Sequence, residues 1–309
     1  MSDVNEVWQE LTLSPGVRCS PPPVGRVAIV GSGESHAASL LAARYGWTPV
    51  RPDWMPLNRD ALADWDSVVG VSWSGESRAV GEVLQLCTRD GVRSVLLTAA
   101  DDCSVGGSVD QVVKLPAVSF DADLPFAAYA STCLGLERWL LRSGGVTYSP
   151  QPLSGLDRCS SKDLELLPRA RPSGVTIVTD LQGRSAVEYG HLKLIESTGI
   201  CVRVAGWDEV GHAEYFMSPG HLVLVAPVVR LPRSREAPLT ALRRAGFLVQ
   251  YLEAPSLGED VLWRTIFLAA RLHSLARHAS QIWGQGPFLT RERPMFGEHV
   301  RLSWETGNE

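Results

Sequence analysis

Three hydroxyls cluster in Val69-Gly70-Val71-Ser72-Trp73-Ser74-Gly75-Glu76-Ser77. The run from Ser67 to Val71 has the make-up of a buried strand, and a helical pattern opens at Arg78. A helix start carries orphan N–H groups and the positive end of a dipole, and so can hold an anion. Hydroxyls donate to an anion without adding charge, which lets a bound ligand leave again. Gly75 allows close backbone approach. The plainer reading is a strand-to-helix turn with Ser77 as N-cap and Glu76 favouring the dipole.

A second turn of this kind, Gly31-Ser32-Gly33-Glu34-Ser35-His36, follows the apolar run Arg26 to Val30. It misses the dinucleotide fingerprint because His36 stands where the third glycine belongs, although Asp53 lies at about the spacing of a ribose-binding acid. Two serine turns fit one phosphate better than a dinucleotide. Later in the chain, Glu188-Tyr189-Gly190-His191-Leu192-Lys193-Leu194-Ile195-Glu196 sets Lys193 and Glu196 three residues apart on one helical face. On spacing alone that pair reads as an exposed ion pair of small worth. The segment Asp208-Glu209-Val210-Gly211-His212-Ala213-Glu214 adds a histidine beside glycine. Glu214 reads equally as a second carboxylate or as solvated surface, and Glu188 and His191 as facing an interface or solvent.

The elements that carry these residues alternate. Strands are predicted at Arg26–Val30, Thr48–Val50, Ser67–Val71, Ser94–Thr98 and Gln111–Leu115. Helices are predicted over His36–Tyr45, Leu57–Asp64, Arg78–Arg89 and Pro125–Arg142. The pattern then restarts, with strands at Val175–Thr179, Cys201–Ala205, Leu222–Ala226 and Phe247–Leu252. Its helices are predicted over Gly183–Ser197, Pro238–Ala245 and, long and amphipathic, Asp260–Ile282. Two βαβα series form a coarse internal repeat, and alternation implies α/β domains with parallel sheets covered on both faces. Ligands of such sheets bind beyond the carboxyl ends of the strands, which puts both serine turns on one rim. The expected division is a lead-in at 1–23, a first domain at 24–146, a linker at 147–172, a second domain at 173–283 and a tail at 284–309.

The pattern strand-Gly-Ser-Gly-Glu-Ser, then strand-Ser-Trp-Ser-Gly-Glu-Ser, resembles the sugar isomerase (SIS) domain family. The Glu188–Glu196 and Asp208–Glu214 segments resemble the isomerase half of glucosamine-fructose-6-phosphate aminotransferase and the archaeal phosphoglucose/phosphomannose isomerases. The resemblance implies two tandem three-layer αβα domains of flavodoxin-like type. It implies phosphate binding by Ser35, Ser72, Ser74 and Ser77, with Gly33 in the first turn. It makes Glu196 the base that moves a proton between adjacent sugar carbons, with Lys193 one helical turn before it. His212 assists ring opening, reaching the site from the neighbouring subunit of a homodimer with a shared active site. Such chemistry needs a carbon-acid base, a group for the ring oxygen and stabilisation of an enediolate. Further candidates are Trp73, Glu188, Glu214 and, in the tail, Arg291. The expected activity is aldose–ketose isomerisation of a phosphorylated sugar. The alternatives are an amino sugar phosphate deaminase or deglycase, and a non-catalytic sugar-phosphate-binding protein. With no glutaminase-like stretch read before the first strand, the aminotransferase itself is not expected, and residues 284–309 have no lysine for an imine.

Composition agrees. The chain has 309 residues, 45% hydrophobic and 20% charged, with net charge −5. There is no basic run to suit nucleic acid, and no apolar run near the roughly 20 residues of a membrane span. The six cysteines show no metal spacing, so no metal and no cofactor is expected, and they read as reduced thiols in a cytoplasmic protein. Met1–Glu10 is polar and unlike a signal peptide.

Overall fold

The computed structural model describes residues 20–57, 59–103, 105–115, 126–141, 161–210, 212–229, 236–252 and 260–284. They fall into two compact units, the first drawn from the residues up to 141 and the second from those after 161.

In the first unit, β1 (Val27–Gly31), β2 (Thr48–Val50), β3 (Ser67–Val71), β4 (Arg93–Thr98) and β5 (Gln111–Lys114) form one parallel sheet in the order β2-β1-β3-β4-β5. Its helices are α1 (Glu34–Ser39), α2 (Arg78–Arg89) and α3 (Phe126–Leu141). Every residue of β1 and β3 is buried, as expected of strands covered on both faces. Ala28, Val30, Val68 and Leu96 meet Val80, Val83, Leu84 and Cys87 of α2 on one face. The Cys87 thiol is pushed up to about 12 by burial, then by the charge of Asp90, so it behaves as a small apolar side chain. α1 packs on α3.

In the second unit, β6 (Val175–Thr179), β7 (Val202–Gly206), β8 (Leu222–Val225) and β9 (Leu248–Tyr251) form a parallel sheet ordered β7-β6-β8-β9. Its helices are α4 (Arg184–Thr198), α5 (Glu236–Arg244) and α6 (Val261–Trp283). Both sheets step outward from the first strand to the second, then back past the first. This is the flavodoxin-like order, and it realises the repeat read from the sequence.

Three expectations are corrected. The helix expected over His36–Tyr45 is a short α-helix followed by a 3₁₀ stretch, Leu40–Tyr45, closed by Gly46 at φ +80°. The Leu57–Asp64 stretch is one helical turn, Trp54–Leu57, and a 3₁₀ stretch, Arg59–Asp64. Pro56 inside that turn cannot donate to a longer helix. The long helix α6 is not amphipathic in the surface sense: it buries Leu262, Ile266, Leu268, Leu272, Leu275 and Ala279 on several sides. Asp260 starts it, its carboxylate accepting from the N–H groups of Leu262 (2.9 Å) and Trp263 (3.3 Å).

Helices α4 and α6 pack closely because α4 has no side chain at Gly190. A Cβ there would lie 2.8 Å from Cβ of Leu272 and 2.7 Å from its Cδ1. Alanine gains about 1 kcal/mol of helix propensity over glycine, and the overpacking costs about 1–3 kcal/mol. The clash involves a Cβ tied to the α6 backbone, so it wins. Gly190→Ala is expected to lower stability by up to about 2 kcal/mol, read from urea unfolding. A stabilised variant would show that α4 and α6 are not in close contact.

Candidate functional site

Register brings the two serine turns together. Gly31, the last residue of β1, stands opposite Val71, the last of β3. Because β2 lies on one side of β1 and β3 on the other, this is where the winding reverses and a crevice opens. Gly31 is required there: a Cβ would lie 2.6 Å from the carbonyl carbon of Ser35. Gly33 is exposed at φ +55° and starts α1. Ser35 is half-buried, its N–H donating to the Ser32 carbonyl at 3.1 Å.

The second turn divides its hydroxyls by role. Ser72 is 2% exposed, and its Oγ accepts from the Ser77 N–H at 3.3 Å. It therefore shapes the turn, with its O–H still available to donate. Ser74 is exposed and accepts weakly from the Glu76 N–H at 3.4 Å. Ser77 occupies the N-cap of α2, yet its side chain makes no capping bond, so the plainer N-cap reading is not realised through that hydroxyl. The first amides of α2 are the orphan donors of a helix start. Gly75, at φ +69°, could carry no side chain, since a Cβ would lie 2.2 Å from Cβ of Cys103. The carbonyl of half-buried Trp73 accepts from Ala99 N–H and Thr98 Oγ1, each at 3.1 Å, which anchors the turn to β4.

The equivalent crevice of the second unit is different. There the carboxylate of Asp180, just past β6, accepts from the N–H groups of Gly183 (2.7 Å), Val228 (2.8 Å) and Val229 (2.7 Å). The chain's own carboxylate sits where an anion would otherwise bind. Nothing in the spacing around Asp180 had marked it.

The Lys193–Glu196 pair is not the exposed ion pair that spacing suggests. Lys193 is 1% exposed, and its ammonium donates to Glu196 Oε2 at 2.7 Å. Glu196 is about one-third exposed, at 32%. The same ammonium lies 5.5 Å from the centre of the Tyr189 ring. The Tyr189 hydroxyl is hydrogen-bonded to His273 Nδ1 of α6 at 2.9 Å, both residues buried. Burial first, then the charges of Lys193 and Arg277, push His273 down to about 3, so its ring is neutral. Tyr189, one turn before Lys193, was legible on the helix; His273, 84 residues further on, was not.

Glu188 bonds Arg184 at 2.7 Å and His191 at 3.4 Å. Burial raises its carboxyl, but the His191 hydrogen bond and the Arg184 charge outweigh that and hold it below the ordinary range. It is tied to its own helix rather than facing open solvent. Glu214 is fully buried and paired with Arg203, so the solvated reading is corrected and an open second carboxylate is not what stands there. His212 is exposed. Arg291 lies outside the described residues. Among those described, no group of acidic, histidine and cysteine residues could hold a metal, and no helix is long and apolar enough to cross a membrane.

Topology separates His212 from Glu196. α4 joins two parallel strands and so runs back along the sheet, ending with Glu196 near the amino end of β7. His212 sits in the turn fastened to the other end, where Glu209 accepts from the Gly206 N–H at 2.9 Å and His212 N–H donates to the Glu209 carbonyl at 3.2 Å. Within one chain the two lie toward opposite ends of β7, a span of roughly 16 Å.

No family model and no curated protein matches the chain by sequence. Solved structures match nearly end to end. The C-terminal domain of glucosamine-fructose-6-phosphate aminotransferase from Francisella tularensis aligns over 91% of this chain and 88% of its own, with TM-score 0.68 and 14% identity. Tagatose-6-phosphate ketose/aldose isomerase from Escherichia coli aligns over 92% and 88%, with TM-score 0.64 and 15% identity. Glucosamine-6-phosphate deaminase from Thermotoga maritima aligns over 91% and 90%, with TM-score 0.64 and 14% identity. The fold is the tandem SIS fold. At these identities the likeness concerns the fold, and the case for chemistry rests on the residues.

The neutral, buried His273 has a consequence for pH. Below its ordinary value of 6.5 the unfolded chain binds a proton that the folded chain refuses until about 3. Stability should therefore fall as pH drops through that window, at about 1.4 kcal/mol per pH unit from this group. Urea unfolding at successive pH values would measure the slope. His273→Leu should flatten it, and an unchanged slope would mean the ring is not held neutral.

Proposed function

We propose that the protein is a phosphosugar isomerase that interconverts aldose and ketose phosphates through an enediolate. The observation that carries this reading is the Glu196 carboxylate, with Oε2 bound to a buried ammonium and its other oxygen without a protein partner among the described residues. Burying a lysine ammonium costs several kcal/mol unless it is paired, an expense better suited to a positioned base than to a passive binding surface. Glu196 takes the carbon-bound proton and returns it to the neighbouring carbon. Ser35, Ser74, Ser77 and the first amides of α2 hold the phosphate, while Ser72 keeps the turn in shape. Trp73 borders that turn, and Glu188 is a structural ion-pair partner.

His212 opens the sugar ring, and the separation along β7 supports supply from the partner subunit of a homodimer. Proton transfer at an amine-bearing carbon by the same base is the second reading. It is favoured by the equal fold likeness to the deaminase and the isomerase, and release of ammonia would distinguish it. A cytoplasmic enzyme without cofactor or metal suits this chemistry.

Deuterium from solvent should enter C2 of a substrate sugar phosphate found by a thermal-shift screen of hexose, pentose and amino sugar phosphates. Glu196→Gln should abolish that exchange while leaving the thermal shift intact; retained exchange would sink the assignment. Binding with no exchange in the wild-type protein would make the protein a sugar-phosphate sensor.

Complementation tests the shared site. Glu196→Gln and His212→Asn should each be inactive. Mixed and reassembled, they should recover about a quarter of wild-type activity, because half the dimers are mixed and each mixed dimer holds one intact site. No recovery would mean that both residues act from one chain.

A further inference from the structure

We propose that Tyr189 and His273 form a positioning couple for Lys193. His273 fixes the Tyr189 ring through its hydroxyl, the ring face carries the buried ammonium, and the ammonium sets the pose of Glu196. The proposal rests on the reading of Glu196 as the base.

The geometry forms one continuous chain. His273 Nδ1 and Tyr189 Oη are 2.9 Å apart, Lys193 Nζ lies 5.5 Å from the Tyr189 ring centre, and Nζ is 2.7 Å from Glu196 Oε2. Tyr189 is 0% exposed, Lys193 1% and His273 5%, while Glu196 alone reaches solvent. The rings of Tyr189 and His273 are nearly coplanar, 18° apart with centres 6.2 Å from each other, so the hydrogen bond joins them end to end. Gly190 makes this approach possible by leaving room for Leu272, the neighbour of His273.

Charge explains why these residue types are used. An ammonium is drawn to the negative face of an aromatic ring, more strongly when water is excluded. In the neutral tautomer with Nδ1 bare, the hydroxyl donates to it and the phenol ring becomes richer in electrons. A charged imidazole would instead have to donate, and would set a second positive charge beside Lys193. Burial and the Lys193 charge both oppose that state, so the ammonium and the neutral ring support each other. A carboxylate at Tyr189 would pair with Lys193 directly and compete with Glu196. An aromatic face attracts the ammonium without taking its hydrogen bonds.

The experiment uses the full chain and two readouts. Tyr189→Phe keeps the ring face but loses the hydroxyl that His273 holds, and should lower kcat about tenfold. Tyr189→Leu removes the face and should lower kcat about 100-fold, with KM for the sugar phosphate changed less than about threefold. His273→Leu, which cuts the same bond from the other side, should match Tyr189→Phe, and His273→Asn, which keeps an acceptor, should recover part of the loss. A purely structural role would lower the active fraction in proportion to unfolding and would not follow this order.

The second readout needs no substrate. The chain has only three lysines, Lys114, Lys162 and Lys193, so selective ¹⁵N-lysine labelling gives a spectrum assignable with Lys193→Met. The wild-type protein should show a slowly exchanging Lys193 ammonium, a few fold faster to exchange in Tyr189→Phe and His273→Leu and at least tenfold faster in Tyr189→Leu. An unchanged Lys193 signal in both leucine variants, or full kcat in folded Tyr189→Leu, would overturn the couple. Failure to find any turned-over sugar phosphate would instead overturn the isomerase reading, with the lysine spectrum still deciding the couple.

Discussion

The structure depends on one matter of register: Gly31 at the end of β1 stands opposite Val71 at the end of β3. Parallel strands hydrogen-bond evenly, so aligned ends release their chains at the same height. Two turns that leave together on either side of the winding reversal share one crevice. Their glycines are demanded by contact, with Gly31 against the start of α1 and Gly75 against Cys103. The hydroxyls of the first unit are thus set by the backbone beneath them.

The second unit shows what the same winding does with different residues. Its crevice is closed by Asp180, whose carboxylate collects three backbone N–H groups. An anion-binding arrangement already holding a carboxylate has no room for a phosphate and would repel one. One copy keeps neutral donors at its rim, and the other holds a carboxylate there and carries a buried ion pair in the last turns of α4. There a buried ammonium, backed by an aromatic face and a neutral imidazole, pairs with one carboxylate that is one-third exposed.

Helix packing is what makes that arrangement affordable. A lysine out of water requires an acceptor and a polarisable surface. The acceptor lies three residues along the same helix, while the support comes from α6 through Tyr189 and His273. The pH sensitivity expected of the second unit arises from the same packing, since a histidine kept neutral by burial, and then by the charge of Lys193, must resist a proton that the unfolded chain accepts.

Much of this was legible in the residues. Alternating short apolar runs and helical stretches determine a wound parallel sheet twice over, because strands buried on both faces must be continuously apolar. The serine turns, Lys193, Glu196 and His212 were visible as motifs because each lies within a few residues of its partners in the motif. What the tertiary structure decided is everything set by distant packing. It buried Lys193, which spacing read as exposed, and Glu214, which spacing left open to solvent. It turned Ser72 inward and left Ser77 uncapping, a choice made by the turn's fit against β4. It put Glu196 and His212 toward opposite ends of one strand, since a helix joining parallel strands must run backward. It brought His273 to Tyr189 across 84 residues, a contact that no local pattern encodes because it exists only where two helices meet.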